Sequence, residues 1–211
     1  RAGFDWNWGS RVDLGYEIPN KRMDLDLCWT WYKTHGSVSD TVASPNALFS
    51  VWSIPNGSGT QWDYIAKADT HLQLNNLDLG ISGTFAPRRF LEINPSIHLS
   101  ALWIHQKFDY NLSGGPGILG LTVIDDKIEM KNNFFGIGPK AGIDTLWNLG
   151  WGFGIVGNFN ISILYGYFST SQSETVVFRG TAPNTYLDLS RNFYHNPRVN
   201  FDLTLGMRWD K

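Results

Sequence analysis

The chain is poor in the features that mark most other classes of protein. It has one cysteine, Cys28, so no disulfide can close within it. No run of 18 apolar residues occurs, which excludes a transmembrane helix. Charged residues make up only 17% of the 211 positions and the net charge is -2, so no basic surface for nucleic acid is on offer. No closely spaced ligand motif suggests a metal or cofactor. Gly114, Gly115 and Gly117 are not followed by the Gly-Lys-Ser/Thr ending of a phosphate loop, and no serine sits in a nucleophile elbow. No signal peptide stands at Arg1, so the sequence is expected to be either mature or truncated.

What the chain does have is apolar and aromatic content. Hydrophobic residues are 42%, too many for a disordered chain. Ten Trp, eight Tyr, thirteen Phe and twenty-two Gly set the rest of its character. Phe4 to Ile18 shows how they are arranged. Its even positions, Phe4, Trp6, Trp8, Ser10, Val12, Leu14, Tyr16 and Ile18, are apolar but for the serine. Its odd positions carry Asp5, Asn7, Gly9, Arg11, Asp13, Gly15 and Glu17. Period two means a strand with one greasy and one wet face. It is longer than the ~5–6 residues usual in globular strands and long enough for the ~9–11 that cross a bilayer.

The pattern repeats down the chain. After a short turn at Pro19-Asn20-Lys21-Arg22, Met23 to Thr34 alternates with Leu25, Leu27, Trp29 and Trp31 on one face and Asp24, Asp26 and Cys28 on the other. Residues 35–61 read as a long loop. In Trp62 to Thr84 the apolar phase flips at Asn75-Asn76. Trp62, Tyr64, Ala66, Ala68, Leu72 and Leu74 are even, whereas Leu77, Leu79 and Ile81 are odd. A one-residue bulge, or a turn between two strands, would keep the apolar face on one side. A second short turn at Ala86-Pro87-Arg88-Arg89 leads into a strand with Leu91 to Trp103 on its apolar face. A second long loop spans 111–132. A strand from Phe135 to Leu149 follows, broken by Pro139, which suggests a bulge. A third short turn spans 148–150, a strand Trp151 to Tyr167, a third loop 169–197, and a last strand Val199 to Trp209. About seven strands are expected in one domain over residues 1–211.

Short and long connections alternate, as in outer-membrane barrels with short periplasmic turns and long external loops. A soluble lipocalin-like barrel would alternate too, with its apolar face inwards. Aromatics near the strand ends and aliphatics at their centres favour lipid outside. So does a wet face of Gly, Asn, Ser and sparse charge. The fold class expected is all-β, a transmembrane antiparallel up-and-down β-barrel. The expected aromatic girdle is Trp6, Trp8, Tyr16, Trp29, Trp31, Trp62, Tyr64, Trp147, Trp151, Tyr165, Tyr167 and Trp209.

Four segments carry a resemblance. They are Gly9 to Tyr16 (GSRVDLGY), Leu25 to Trp31 (LDLCWTW), Asn76 to Gly80 (NLDLG) and Phe135 to Gly142 (FGIGPKAG). In order and spacing, with Trp151 to Phe168, they resemble the major outer membrane proteins of Legionella and of chlamydia-related bacteria. The resemblance implies a pore-forming barrel of the Gram-negative outer membrane and accounts for Pro139. It departs from the Cys-rich, cross-linked chlamydial kind, since only Cys28 is present. The family's chains are longer, and the odd strand count leaves the two ends on opposite sides. The chain is therefore expected to be part of a larger barrel.

The expected pore-lining residues are Asp5, Arg11, Asp13, Glu17, Asp24, Asp26, Asp63, Lys67, Asp69, His71, Glu92, His98, Lys140, Asp144, Asp202 and Arg208, with Asp78 beside them. Charges facing a water-filled lumen set selectivity, although most of them serve simply to keep it wet. Asp69, His71, His98 and Ser100 could be drawn as a hydrolase site, but the chain is not expected to be an enzyme. The function expected is a porin passing ions and small hydrophilic solutes. The alternative is a structural or adhesive barrel with a closed lumen. Outer-membrane lipid is the expected partner, and association into homo-oligomers is left open.

Overall fold

The computed structural model describes residues 7–19, 22–43, 46, 48, 64–114, 123–180 and 182–210. Among them the chain forms β1 (Gly9–Glu17), β2 (Met23–Thr41), β3 (Ile65–Gly83), β4 (Phe85–Arg88), β5 (Leu91–Ser113), β6 (Val123–Gly150), β7 (Phe153–Phe178) and β8 (Asn184–Trp209). All pair antiparallel in one up-and-down sheet of order β1-β2-β3-β5-β6-β7-β8, with the four-residue β4 pairing β5. Among the described residues no helix is long and apolar enough to cross a membrane. The sheet is open at both edges, since β1 pairs with β2 alone and β8 with β7 alone among the described residues. It is nevertheless strongly curled. Arg11 on β1 lies within electrostatic reach of Asp202 on β8 and Asp144 on β6, so opposite walls approach across the concave side.

Residue alternation sorts the two faces. The concave, inner face carries buried Cys28, Asp78, Ser96, Ser100, Asn160 and Ser162. The outer face carries exposed Leu14, Leu27, Leu79, Leu99, Ile137, Ile143, Phe159, Ile163, Leu203 and Leu205. Burial against the rest of the chain cannot stabilise so many exposed aliphatics; lipid can. Glycines let the wall bend. A Cβ placed on Gly138 would come within 3.0 Å of the carbonyl of Ile163. One placed on Gly166 would strike the backbone at Phe135. These backbones approach more closely than any side chain permits.

The strands run further than the alternation suggested. β2, β5, β6, β7 and β8 extend into the stretches read as loops at 35–61, 111–132 and 169–197, leaving connections of 42–64, 114–122 and 179–183. The second turn lies at 89–90, after β4. The third lies at 151–152, so Trp151 sits at its tip, 97% exposed with φ 54°. The strict alternation of short and long connections does not persist, because the third connection expected to be long has five residues, as many as the first short one at 18–22.

The bulge expected at Asn75-Asn76 is absent. β3 pairs with β2 without a break, Leu77 opposite Trp29, Asn75 opposite Trp31 and Leu74 opposite Tyr32. No register shift divides Ile65 to Gly83 on the β5 side either. The polarity of the faces is what changes. Past one register row, Trp31–Asn75–Trp103–Phe135–Tyr167, the outer face turns from apolar to polar. The next outer row is Lys33–Gln73–His105–Asn133–Ser169. The inner face changes in the opposite sense. Leu74 and Ile104 pack on the buried cluster Leu102, Phe134 and Leu164, and further out Leu112, Ile128 and Val176 are fully buried. The apolar outer face below this row suits lipid and the polar one beyond it suits water, while apolar side chains enter the concave face beside buried Asp126 and Glu174. From Phe135 to Trp147 is twelve residues, about 40 Å of strand at ~3.3 Å each and about 28 Å across the bilayer once tilted ~45°. That matches an apolar band of bilayer height.

Candidate functional site

The inner wall below the aromatic row is where the polar side chains gather. Two of its register rows read Asp26–Gly80–His98–Lys140–Ser162–Asn200 and Asp24–Ser82–Ser96–Gly142–Asn160–Asp202. Lys140 Nζ donates to Asp78 Oδ2 at 2.8 Å, reaching across β5, and both side chains are nearly closed to solvent at 12% and 4%. Asn76 Nδ2 donates to the same oxygen at 2.8 Å, and Ser100 Oγ donates to Asn76 Oδ1 at 3.1 Å. Asn158 donates to Asp144, which lies within electrostatic reach of Arg11, His98 and Asp26. Arg11 pairs with Asp13, two residues away on the same face, at 3.1 Å. Gly80 and Gly142 clear space for His98 and Asn160, since a Cβ at either would come within 3.0 Å of those side chains. Cys28 is buried, its Sγ 3.8 Å from Thr30 Oγ1, and fills the wall.

Above this polar zone the interior is mixed, with Asp126 and Glu174 fully buried beside Leu112, Ile128 and Val176. One inner row reads Tyr32–Leu74–Ile104–Phe134–Phe168–Phe193, apolar or aromatic at every described strand from β2 to β8. Phe134 and Phe168 pack at 4.6 Å between ring centroids, and Arg198 lies over Phe168 at 4.7 Å. A recess of about 270 Å³ opens between Leu102, Phe134, Leu164, Phe168 and Arg198. Further out a cleft of about 760 Å³ is bounded by Leu72, Phe108, Met130, Gln172, Leu189 and Arg191, among others. On the outer face of this zone Lys127 pairs with Glu129. That hydrogen bond raises the lysine above its ordinary value and holds the carboxyl below its own.

The structure sorts the expected residues unevenly. Arg11, Asp13, Glu17, Asp24, Asp26, Asp78, Glu92, His98, Lys140, Asp144, Asp202 and Arg208 share the inner face. Lys67, Asp69 and His71 do not. With no bulge in β3 they fall on the outer face beyond the aromatic row, whereas Ala66, Leu72 and Leu74, expected outside, point inwards. Asp69 and His71 are thus separated by the wall from His98 and Ser100, and the four form no catalytic group. Instead His71 meets His35, Nδ1 to Nδ1 at 3.2 Å. Trp8, Tyr16, Trp29, Trp31, Trp147, Tyr165, Tyr167 and Trp209 fall on the outer side. Tyr64 belongs instead to the far outer end of the β3 ladder, where its N–H meets the Ser113 carbonyl at 3.2 Å. Asp5, Trp6, Trp62 and Asp63 lie outside the described residues. The inner apolar row was missed, though its signal was present. Leu102-Trp103-Ile104, Phe134-Phe135 and Tyr167-Phe168 are apolar on both faces at once, which a strand shows where it passes from lipid to water.

No curated protein sequence matches the chain. The crystal structure of Acinetobacter baumannii CarO is similar over 97% of each chain, at 11% identity and a TM-score of 0.32. A family described as Legionella pneumophila major outer membrane protein precursor matches residues 1–211. The chain belongs to that major outer membrane protein family and is a β-barrel protein of the outer membrane.

Proposed function

We propose that the protein is a porin through which ions and small hydrophilic solutes diffuse passively. The observation that carries this reading is the inner wall of the membrane zone. Charged and amide side chains line it from β1 to β8, and glycines and serines fill the positions between them. A wall meant only to pack would not place so many carboxylates where each must remain hydrated or paired. Oriented charges there act on passing ions as an electrostatic filter. The test is conductance of the folded protein in a planar bilayer. Discrete, ohmic steps support the porin. Insertion without conductance, with heat-modifiable migration proving a folded barrel, supports a closed barrel. The row Tyr32–Leu74–Ile104–Phe134–Phe168–Phe193 favours that second reading, because a ring of apolar side chains across a narrow lumen sheds water and blocks ions.

A further inference from the structure

His35 and His71 are direct partners across the β2–β3 ladder, on the outer face beyond the aromatic row. Their rings are stacked with centroids 4.3 Å apart and 28° between planes, and their Nδ1 atoms share a hydrogen bond of 3.2 Å in which the ring tautomers decide which one donates. Directly opposed strand residues hold their Cβ atoms only ~4.5–5.5 Å apart, so the backbone fixes this approach. Two metal–imidazole bonds of ~2.0–2.1 Å meeting at ~90–109° place their nitrogens ~2.9–3.4 Å apart. The observed separation falls inside that window, and a turn of each ring about its Cβ–Cγ bond, with loss of the shared proton, would aim both lone pairs at one ion. We propose that His35 and His71 form an open bis-imidazole site for a borderline divalent transition-metal ion, copper(II) in preference to zinc(II).

The outer face around the pair carries charges of both signs, so the two imidazoles, not the surrounding field, would hold the ion. Asp69 lies two residues from His71 on the same face, opposite Ser37 and Asp109. Lys107 stands opposite His71, but its ammonium is held by Asp109 at 2.7 Å, which offsets its charge. Lys33 lies two residues before His35, and Lys67 two residues before Asp69, on the same face. No third His, Cys, Asp or Glu closes the group among the described residues, so water completes the coordination. Both rings are only half-buried, and the ion exchanges freely with solvent. Imidazole selects copper and zinc over hard cations, and the affinity order places copper(II) first. The site is independent of whether the lumen conducts.

Titrating the full chain, folded in detergent, with copper(II) by calorimetry and electron paramagnetic resonance tests this. The expected result is one ion per chain with a two-nitrogen signature. His35→Gln or His71→Gln should weaken it by at least about tenfold. His98→Gln and His105→Gln should leave it unchanged. Zinc(II) should bind more weakly and magnesium(II) not at all. Unaltered copper binding in the His35→Gln/His71→Gln double variant overturns the proposal. A measurement on the unmutated protein guards against misfolded variants. Zinc(II) should slow carbethoxylation of His35 and His71 by diethyl pyrocarbonate and spare the rate at His105. Equal rates at His35 and His71 with and without zinc overturn it as well.

Discussion

Asp78 on β3 and Lys140 on β6 meet at 2.8 Å across the inner face, over the backbone of β5 that separates them. The pair ties three strands together with Asn76 and Ser100. Removing one partner leaves a charge with little access to water. Lys140→Met is therefore expected to destabilise the barrel by ~3–5 kcal/mol. Asp78→Asn with Lys140→Met removes both charges and should recover most of the loss. Urea unfolding in detergent micelles reads the difference. Equal stability of the single and double variants would show that the lumen hydrates Asp78 fully.

The close approach of β6 and β7 makes a second prediction. Gly138→Ala or Gly166→Ala pushes a methyl group into the neighbouring backbone, at the Ile163 carbonyl and at Phe135 respectively. Overpacking of this kind costs ~1–3 kcal/mol. Gly206→Ala is the control, because nothing lies within 4 Å of its Cβ position. The unfolding midpoint should fall for the first two variants and hold for the third.

The lipid face yields a third. Leu27 stands opposite Leu14 and Leu79 in the membrane zone, and Leu205 is 74% exposed on β8. An arginine at either position near the bilayer midplane should cost ~2–4 kcal/mol. Thr204→Ser, on the inner face, should be nearly neutral. Cysteines placed singly at 26 and 27 in a Cys28→Ser background separate the faces. A lipid-soluble probe should label position 27, and labelling of 26 alone would invert the orientation.

How far these residues were legible in advance depends on their surroundings. Period-two alternation exposed the membrane strands because lipid outside and water inside impose opposite chemistry on successive residues. Leu25 against Asp26 and Leu203 against Asp202 show this directly. The same rule misread β3. Its phase flip reads in the sequence as a bulge or a turn, whereas the ladder runs unbroken and it is the polarity of the two faces that changes. His71 was assigned to the lumen for that reason, and its meeting with His35 depends on a pairing 36 residues distant in sequence. The Asp78–Lys140 pair is equally non-local, and no spacing rule announces it.

The corrected inner wall predicts an ion selectivity for the proposed pore. In the membrane zone the described inner face carries the carboxylates Asp13, Glu17, Asp24, Asp26, Asp78, Glu92, Asp144 and Asp202. Against these eight stand four cations, Arg11, Lys140, Arg198 and Arg208. Reassigning Lys67 and Asp69 to the outer face removes one charge of each sign and leaves the imbalance in place. Low-dielectric walls focus such a field, and salt screens it over ~10 Å at 0.1 M. A conducting barrel should therefore prefer cations, more strongly at low salt. Asp24→Asn with Asp26→Asn removes two charges from adjoining rows at the inner rim and should shift the reversal potential towards anions. A salt gradient across a planar bilayer measures both effects. An anion preference in the unmutated protein would mean that the lumen's field is set by the four cations or by residues outside these strands, and the charge argument would fail.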